Sequence, residues 1–190
     1  MTRGAGGGTI ATAALYSGNA DVVEETINLH FLKACDALIR SDVFPHIHAM
    51  TDITNGGLRG DVFEIAETAN ATVVVEDAPL RGLIAPKVLA LLDKLGIDYL
   101  GVSLDALLVI VPPEYADEVI RVVGTASVPM ERIGFVREGP GVSRLIKDGV
   151  EGEFQPKFRE APYTPVKKVV DRPGRDFEEM KKGIDRAADA

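Results

Sequence analysis

The sequence predicts an α+β fold, in which helices pack on a mixed β-sheet. Short apolar runs with strand composition alternate with amphipathic stretches that have helical spacing. Their order is strand, helix, strand, helix, strand and then a hairpin, which favours parallel or mixed pairing with covering helices over a sandwich. With 190 residues, of which 46% are hydrophobic, the chain can bury a sizeable core.

Two amphipathic stretches in the first half of the chain predict helices. Apolar residues recur at helical spacing over about residues 21–41, with Asn19 or Asp21 as a plausible cap and acidic residues in the first turn. A second stripe, from Leu58 to Ala69, lies on one face of a helix that begins after two adjacent glycines. Both helices are therefore expected to pack on a core.

The second half of the chain continues the alternation. Pro86 in the first turn and Gly96 at the end delimit a third helix, and a fourth runs from Pro113 to about Val123. Strands are predicted in "PHIHAMTDI", "ATVVVEDA" and "DALLVIVPP". The segments "ERIGFVRE", "GPGV" and "SRLIKDG" predict a hairpin.

Three segments of different composition suggest the domain organisation. Residues 1–20 are rich in glycine and are expected to form a mobile loop, possible remnant of a linker from a missing N-terminal domain. Residues 21–154 form the predicted domain. Residues 155–190 are predicted to be a proline-containing arm followed by a charged C-terminal helix.

Composition excludes several classes of function. The formal net charge of −8 and the lack of a Lys/Arg block argue against a nucleic-acid partner. Cys35 is the single cysteine, which excludes an internal disulfide and a CxxC site. No apolar stretch of about 18 residues and no signal pattern is found, so we expect no membrane partner and a cytoplasmic protein.

The stretch "HAMTDITNGGLRGDVFEIAE", residues 48–67, joins a strand to a helix through a polar, glycine-rich turn. A helix N-terminus leaves unpaired N–H groups, and adjacent glycines let a phosphate approach the backbone. Asp52 and Asn55 could add oxygen ligands to Mg²⁺, and the Thr54 hydroxyl could bond a phosphate. The same residues also suit a helix cap and a tight turn, so both interpretations remain open at this point.

Other polar residues favour structural roles. His30 lies on the apolar side of its helix and is expected to be a packed histidine, and Cys35 a small core residue. Glu76, Asp77 and Asp105 sit at strand edges, where solvated or capping groups are the simplest interpretation. The N-terminal "GAGGG" lacks the Lys-Ser/Thr of a P-loop, so by itself it is weak evidence for phosphate binding. No Ser-His-Asp or Cys-His set is visible.

The motif at residues 48–67 resembles the one that opens the C-terminal domain of the aminoimidazole ribonucleotide (AIR) synthase superfamily, together with "VVVEDAPL", "DALLVIVP" and "ERIGFV". That superfamily includes AIR synthase, formylglycinamide ribonucleotide amidotransferase, selenophosphate synthetase, thiamine-monophosphate kinase and HypE. The similarity spans roughly residues 21–150 and implies a three-layer fold like that C-terminal domain. Asn55 is neutral where thiamine-monophosphate kinase-like members are acidic, which disfavours that branch.

The resemblance implies ATP and Mg²⁺ as cofactors and phosphoryl transfer to a small-molecule acceptor. In the superfamily an N-terminal domain dimerises and carries most metal ligands, so a homodimer is expected for the full-length protein and little turnover for this chain alone. The alternative is a non-catalytic homologous domain that acts as a binding or assembly module. The implied site comprises Asp52 for the metal and Thr54, Asn55, Gly56, Gly57, His48, Gly6 and Gly7 for ATP and substrate.

Overall fold

The computed structural model describes residues 1–54, 56–157, 178 and 182, and it confirms the predicted α+β class. The helices are α1 (Gly8–Tyr16), α2 (Ala20–Thr26), α3 (His30–Ile39), α4 (Gly57–Ala69), α5 (Asp77–Leu83), α6 (Pro86–Leu95) and α7 (Ala116–Thr125). The strands are β1 (Ala49–Asp52), β2 (Thr72–Glu76), β3 (Leu107–Ile110), β4 (Gly134–Arg137), β5 (Val142–Lys147) and β6 (Val150–Glu153). Short 3₁₀ turns at Phe44–His46 and Pro113–Tyr115 precede β1 and α7.

The strands form two sheets with mixed pairing. β1 and β3 pair antiparallel, with Asp52 opposite Leu107. In the larger sheet the order is β4-β2-β5-β6, where β2 is antiparallel to β4 and parallel to β5. Both edges of β2 are therefore occupied, which suits its buried run of valines.

This topology corrects the predicted hairpin. β4 and β5 are neighbours in sequence but do not pair with each other, because β2 lies between them. The hairpin forms instead between β5 and β6, where Asp148 and Gly149 both have positive φ. An Asp-Gly pair suits the type I′ turns of two-residue hairpins. The sequence therefore contained a hairpin signal at Asp148-Gly149, between β5 and β6, rather than between β4 and β5.

The predicted helix over residues 21–41 is two helices, α2 and α3. The Asn28 side chain separates them, since its Nδ2 donates to the Glu25 carbonyl at 3.0 Å and its Oδ1 accepts from the His30 N–H at 3.0 Å. Asparagine thus offers the backbone partners that a continuous helix would have supplied. Ile27, which continues the apolar spacing in the sequence, is 77% exposed.

The mobile loop predicted for residues 1–20 is also wrong, because part of this segment is helical. α1 occupies residues 8–16 and buries Ile10 and Ala13 completely. Ahead of it, the Thr2 N–H donates to the Leu107 carbonyl at 2.9 Å. Small residues permit this close packing, whereas glycine content in the sequence suggested mobility. The division of the chain into domains stays a prediction.

The core has two parts that lie on opposite sides of β3. Side chains of α1, α2, α4, α5 and α6 pack in the larger cluster, whereas α3 and α7 pack in the smaller one. Leu108 belongs to the larger cluster and its neighbour Leu107 to the smaller, as expected for alternating sides of a strand. Helices thus cover both sides of the strands, in three layers.

The predicted arm and C-terminal helix fall on residues 155–190, of which the structure describes only residues 155–157, 178 and 182. The rest of that segment lies outside the described residues. Among the helices that are described, none combines the length and the apolar character that crossing a membrane requires.

Asp77 is buried, whereas the sequence predicted a solvated or capping group. It begins α5, a helix that the sequence did not indicate, and its carboxylate accepts a short hydrogen bond from the Tyr99 hydroxyl. The Arg81 guanidinium lies 5.3 Å from the centre of the Tyr99 ring, and it also bonds Asp93 at 2.6 Å. These contacts join α5 to α6 and to the loop that follows α6.

The variant Tyr99→Phe should lower the free energy of unfolding by about 1–3 kcal/mol, because it leaves a buried carboxylate without its donor. Urea unfolding measures this difference. Tyr115→Phe is the matched control, since the Tyr115 ring stacks on His46 and its hydroxyl makes no hydrogen bond within the described residues. Equal losses in the two variants would mean that the Tyr99–Asp77 bond contributes nothing specific.

Candidate functional site

Asp52 lies at the end of β1, where the chain turns toward α4. The turn is held by the segment before β3: the Ile53 N–H donates to the Ala106 carbonyl at 2.8 Å, and the Ser103 hydroxyl donates to the Ile53 carbonyl at 3.1 Å. Asp105, in this same segment, has a positive φ of 51°. These bonds place the backbone next to Asp52 beside the backbone next to Asp105.

The glycine loop, residues 6–8, lies against the same segment. A Cβ on Gly7 would stand 2.8 Å from the Ser103 hydroxyl oxygen and 3.8 Å from the Asp105 Cβ. The loop runs into α1, and within the described residues the N–H groups of Gly8 and Thr9 have no hydrogen-bond acceptor. The start of α1 therefore offers free donors and the positive end of a helix dipole beside Asp105.

The start of α4 is more occupied than its sequence suggested. The Gly57 N–H donates to the Thr54 carbonyl at 3.0 Å, and the Arg59 N–H donates to the Leu100 carbonyl at 3.0 Å. A Cβ on Gly57, where φ is +62°, would stand 2.5 Å from the Leu100 carbonyl oxygen and from the Val102 nitrogen. Gly57 is thus required by the protein's own packing. A role for Gly56 and Gly57 in ATP binding stays a prediction.

Asp61, one turn into α4, is a polar residue of this region that the sequence interpretation missed. Burial, together with the nearby carboxylates of Glu64 and Asp52, raises its pKa to about 6, although the Thr54 backbone opposes the shift. Its Oδ2 is buried and has no partner among the described residues. The available signal was an acid between the buried Leu58 and Val62, on a helix whose other acids point outward.

Asp105 and His30 complete the charged surroundings. Burial and the charge of Asp52 raise the pKa of Asp105, and His30 acts against this shift. The pKa of His30 is lowered by burial and by the positive charges of Arg3 and Lys33. His30 begins α3, and its Nδ1 is buried and has no hydrogen-bond partner among the described residues. The charges of Asp105 and Glu25 also act on His30, so acidic groups lie near it.

One predicted site residue, His48, lies away from this place. His48 precedes β1 and is four residues from Asp52, which corresponds to about 13 Å along an extended strand. It lines an apolar groove at the other end of β1. Asn55 lies outside the described residues. Among the residues that the structure does describe, no three His, Cys, Asp or Glu side chains group so that they could hold a metal ion.

A three-layer α+β domain, with a glycine loop and strand-end carboxylates at one edge, is the class of protein that these features define. The family model for the AIR synthase related protein, C-terminal domain, matches residues 3–147, and the chain belongs to this family. The match confirms the resemblance inferred from the motif. It also includes most of the segment before residue 21.

Similar proteins extend well beyond the length of this chain. The uncharacterized protein MJ1416 of Methanocaldococcus jannaschii is 51% identical over 191 residues, which cover 100% of this chain and 41% of MJ1416. The crystal structure of HypE from E. coli has a TM-score of 0.65 and 20% identity, over 89% of this chain and 53% of that one. HypE in complex with ATP has a TM-score of 0.52 and 24% identity, over 59% and 36%. These likenesses to solved structures show the fold alone.

The variant Gly57→Ala should destabilise the domain by about 2–3 kcal/mol or more, because a side chain at this positive φ meets the backbone of residues 100–102. Chemical unfolding measures the loss. Gly8→Ala is the matched control, since a Cβ there has no neighbour within 4 Å. If both variants are equally stable, the close approach at Gly57 does not constrain the fold.

The raised pKa of Asp61 predicts a pH-dependent stability difference. Between about pH 4 and about pH 6 the folded state holds a proton that the unfolded state has lost, so this residue makes stability fall as pH rises. Asp61→Asn should therefore stabilise the protein by about 1 kcal/mol at neutral pH, allowing for solvent screening, and by nothing near pH 3.5.

Urea unfolding at both pH values tests this expectation, with Asp36→Asn as an exposed control that should change little. A gain for Asp61→Asn that is the same at both pH values would contradict the assignment of the shift to a buried carboxylate.

Proposed function

We propose that this chain is the C-terminal domain of an AIR synthase-related ATP-dependent enzyme, in which it binds the phosphates of Mg-ATP during phosphoryl transfer to a small-molecule acceptor. The observation that carries the proposal is the start of α1, where free N–H groups lie against the segment that bears Asp105 and borders Asp52. HypE, whose fold is similar, has been solved with ATP.

The electrostatics of the domain suit local binding of a phosphate. The net charge of −8 repels anions in general, so an anionic ligand needs donors concentrated at one place. The free amides of Gly8 and Thr9 at a helix N-terminus are such a place. The absence of a Cβ at Gly7 keeps the loop against Ser103.

The carboxylates fit a metal ion that arrives with the nucleotide. Mg²⁺ typically uses one or two protein carboxylates and takes its other ligands from phosphates and water. Asp52 and Asp105 are the residues that would hold it, and a metal would neutralise phosphate charge during transfer.

The remaining roles follow from position. Thr54 and Gly56 lie between β1 and α4, and we assign them to the wall of the nucleotide site, while Asn55 stays an ATP contact predicted from the sequence. His48 is assigned to a more remote part of the substrate. The chain spans 41% of MJ1416 and 53% of E. coli HypE, so the acceptor site, a homodimer, a cytoplasmic location and full activity are proposals for the longer protein.

A non-catalytic binding module is the second candidate, and one observation favours it. The start of α4, which the motif suggested as the phosphate site, uses its Gly57 and Arg59 N–H groups within the protein itself. A homologous domain that kept the fold but no longer bound phosphate would have the same hydrogen bonds at the start of α4.

Titration calorimetry with Mg-ATP tests the first candidate. The chain should bind with measurable heat, and Asp52→Ala should weaken binding by about tenfold, because a carboxylate that would hold the metal is removed. Asp36→Ala, an exposed acid on α3, is the control that should leave the affinity unchanged. No heat with the parent chain, or equal affinity in Asp52→Ala, would favour the binding module.

A further inference from the structure

The segment around α3 concentrates apolar side chains at the surface of the molecule. Among the described residues, seven large apolar side chains are exposed, and five of them lie between positions 27 and 44: Ile27, Leu29, Leu32, Ile39 and Phe44. Their exposed fractions run from 40% at Phe44 to 77% at Ile27. Single exposed apolar residues are ordinary on a protein surface, whereas a group of them indicates a contact with another molecule.

Helical spacing places three of these residues along one stripe. At about 100° per residue, Leu29, Leu32 and Ile39 fall within about 80° of one another around the helix axis. Asp36 lies inside the same stripe, and the buried Leu38 points to the other side of the helix, where α3 packs on α7. The four outward positions have the a and d spacing of helices that pack on a second helix.

Charged side chains of both signs border the stripe. Asp36 holds Arg40 in an ion pair of 2.7 Å, and Lys33 has no ion-pair partner among the described residues. Two cations and one anion give this face a charge of +1, whereas the whole chain carries −8. Two copies of the chain therefore repel each other less at this face than over the surface in general.

We propose that α3 is the contact through which two copies of this chain pair, with the two α3 helices antiparallel about a two-fold axis at the level of Ala34. Residues whose numbers sum to about 68 then lie opposite each other, and every contact occurs twice. Leu29 meets Ile39 of the other copy. Lys33 of each copy lies beside Asp36 of the other. This association is separate from the nucleotide binding proposed above.

Asp36 favours a second copy over a purely apolar partner. Any partner that covers the stripe removes the Asp36 carboxylate from water, which costs free energy unless a donor is supplied. A second copy supplies the Lys33 ammonium at this position, and two-fold symmetry repeats the pair. The carboxylate has two oxygens, so it can accept from Arg40 of its own chain and from Lys33 of the other at the same time.

The stripe is short, so the contact belongs to the small and weak class of interfaces. We expect a dimer dissociation constant of about 10–100 μM. At about 1 μM the chain would be monomeric, so unfolding experiments with Asp36 variants at that concentration report on the single domain.

Sedimentation equilibrium over a concentration series measures the dissociation constant, with a thiol reductant present so that Cys35 does not cross-link copies. Leu32→Glu places a charge in the stripe and should raise the dissociation constant by about tenfold or more. Val150→Glu is the matched control, since Val150 is an exposed apolar residue on β6, and this variant should associate as the parent chain does. Urea unfolding of each variant checks that it is folded.

A charge exchange tests the antiparallel arrangement. Lys33→Glu brings two acids together at both symmetric positions and should weaken association by about tenfold. The double variant Lys33→Glu with Asp36→Lys restores opposite charges, so its dissociation constant should return to within about threefold of the parent value.

A parent chain that stays monomeric at about 1 mM would overturn the proposal and assign the α3 face to a different partner. So would a dimer that Leu32→Glu leaves unchanged, because the contact would then lie elsewhere on the molecule. Weaker association in Lys33→Glu without recovery in the double variant would overturn the antiparallel pairing.

Discussion

The segment from Ser103 to Leu107 is the constraint on which the rest of the structure depends. It accepts the N–H groups of Ala5 and Gly6 through the Leu104 carbonyl, at 3.1 and 2.9 Å, and it bonds the β1 turn through Ala106. Both the glycine loop and the Asp52 turn are therefore held to one strip of backbone. Because all these partners are backbone groups, the geometry of the site follows from the path of the main chain.

The region around Asp52 carries several negative charges. The charge of Asp52 acts on both Asp61 and Asp105, and this repulsion adds to the effect of burial in raising the pKa of each of these two carboxyl groups. His30 acts against the shift at Asp105, and the charge of Arg3 in turn lowers the pKa of His30. Burial of Asp61 and Asp105 near the charge of Asp52 therefore carries an electrostatic cost.

The strand layer shows a second feature of the same backbone geometry. β3 divides the core, and its two edges differ: one pairs with β1, and the other pairs with the N-terminal residues only at Leu107. The apolar groove that His48 and Ile110 line and the Asp52 end of β1 are at opposite ends of the same strand pair.

Local signals in the sequence determined much of this protein. Pro86 and Gly96 delimit α6 as predicted, with Gly96 in the left-handed region, and the run of valines in β2 is buried as predicted. On α4 the start of the predicted stripe, Leu58 and Val62, is buried, whereas Ala69 at its end is exposed. The sequence motif between β1 and α4 was sufficient to indicate the family. These features depend on residues within a few positions of each other, so the sequence alone contains them.

Only the tertiary structure decided which strands pair, how the N-terminal residues pack and which acidic side chains affect one another's pKa. β2 inserts between β4 and β5, Thr2 bonds Leu107 across the chain, and the charge of Asp52 acts on Asp61. Each of these relationships joins residues that are not neighbours in sequence. The choice is made by burial of the whole core, which no short stretch of sequence encodes.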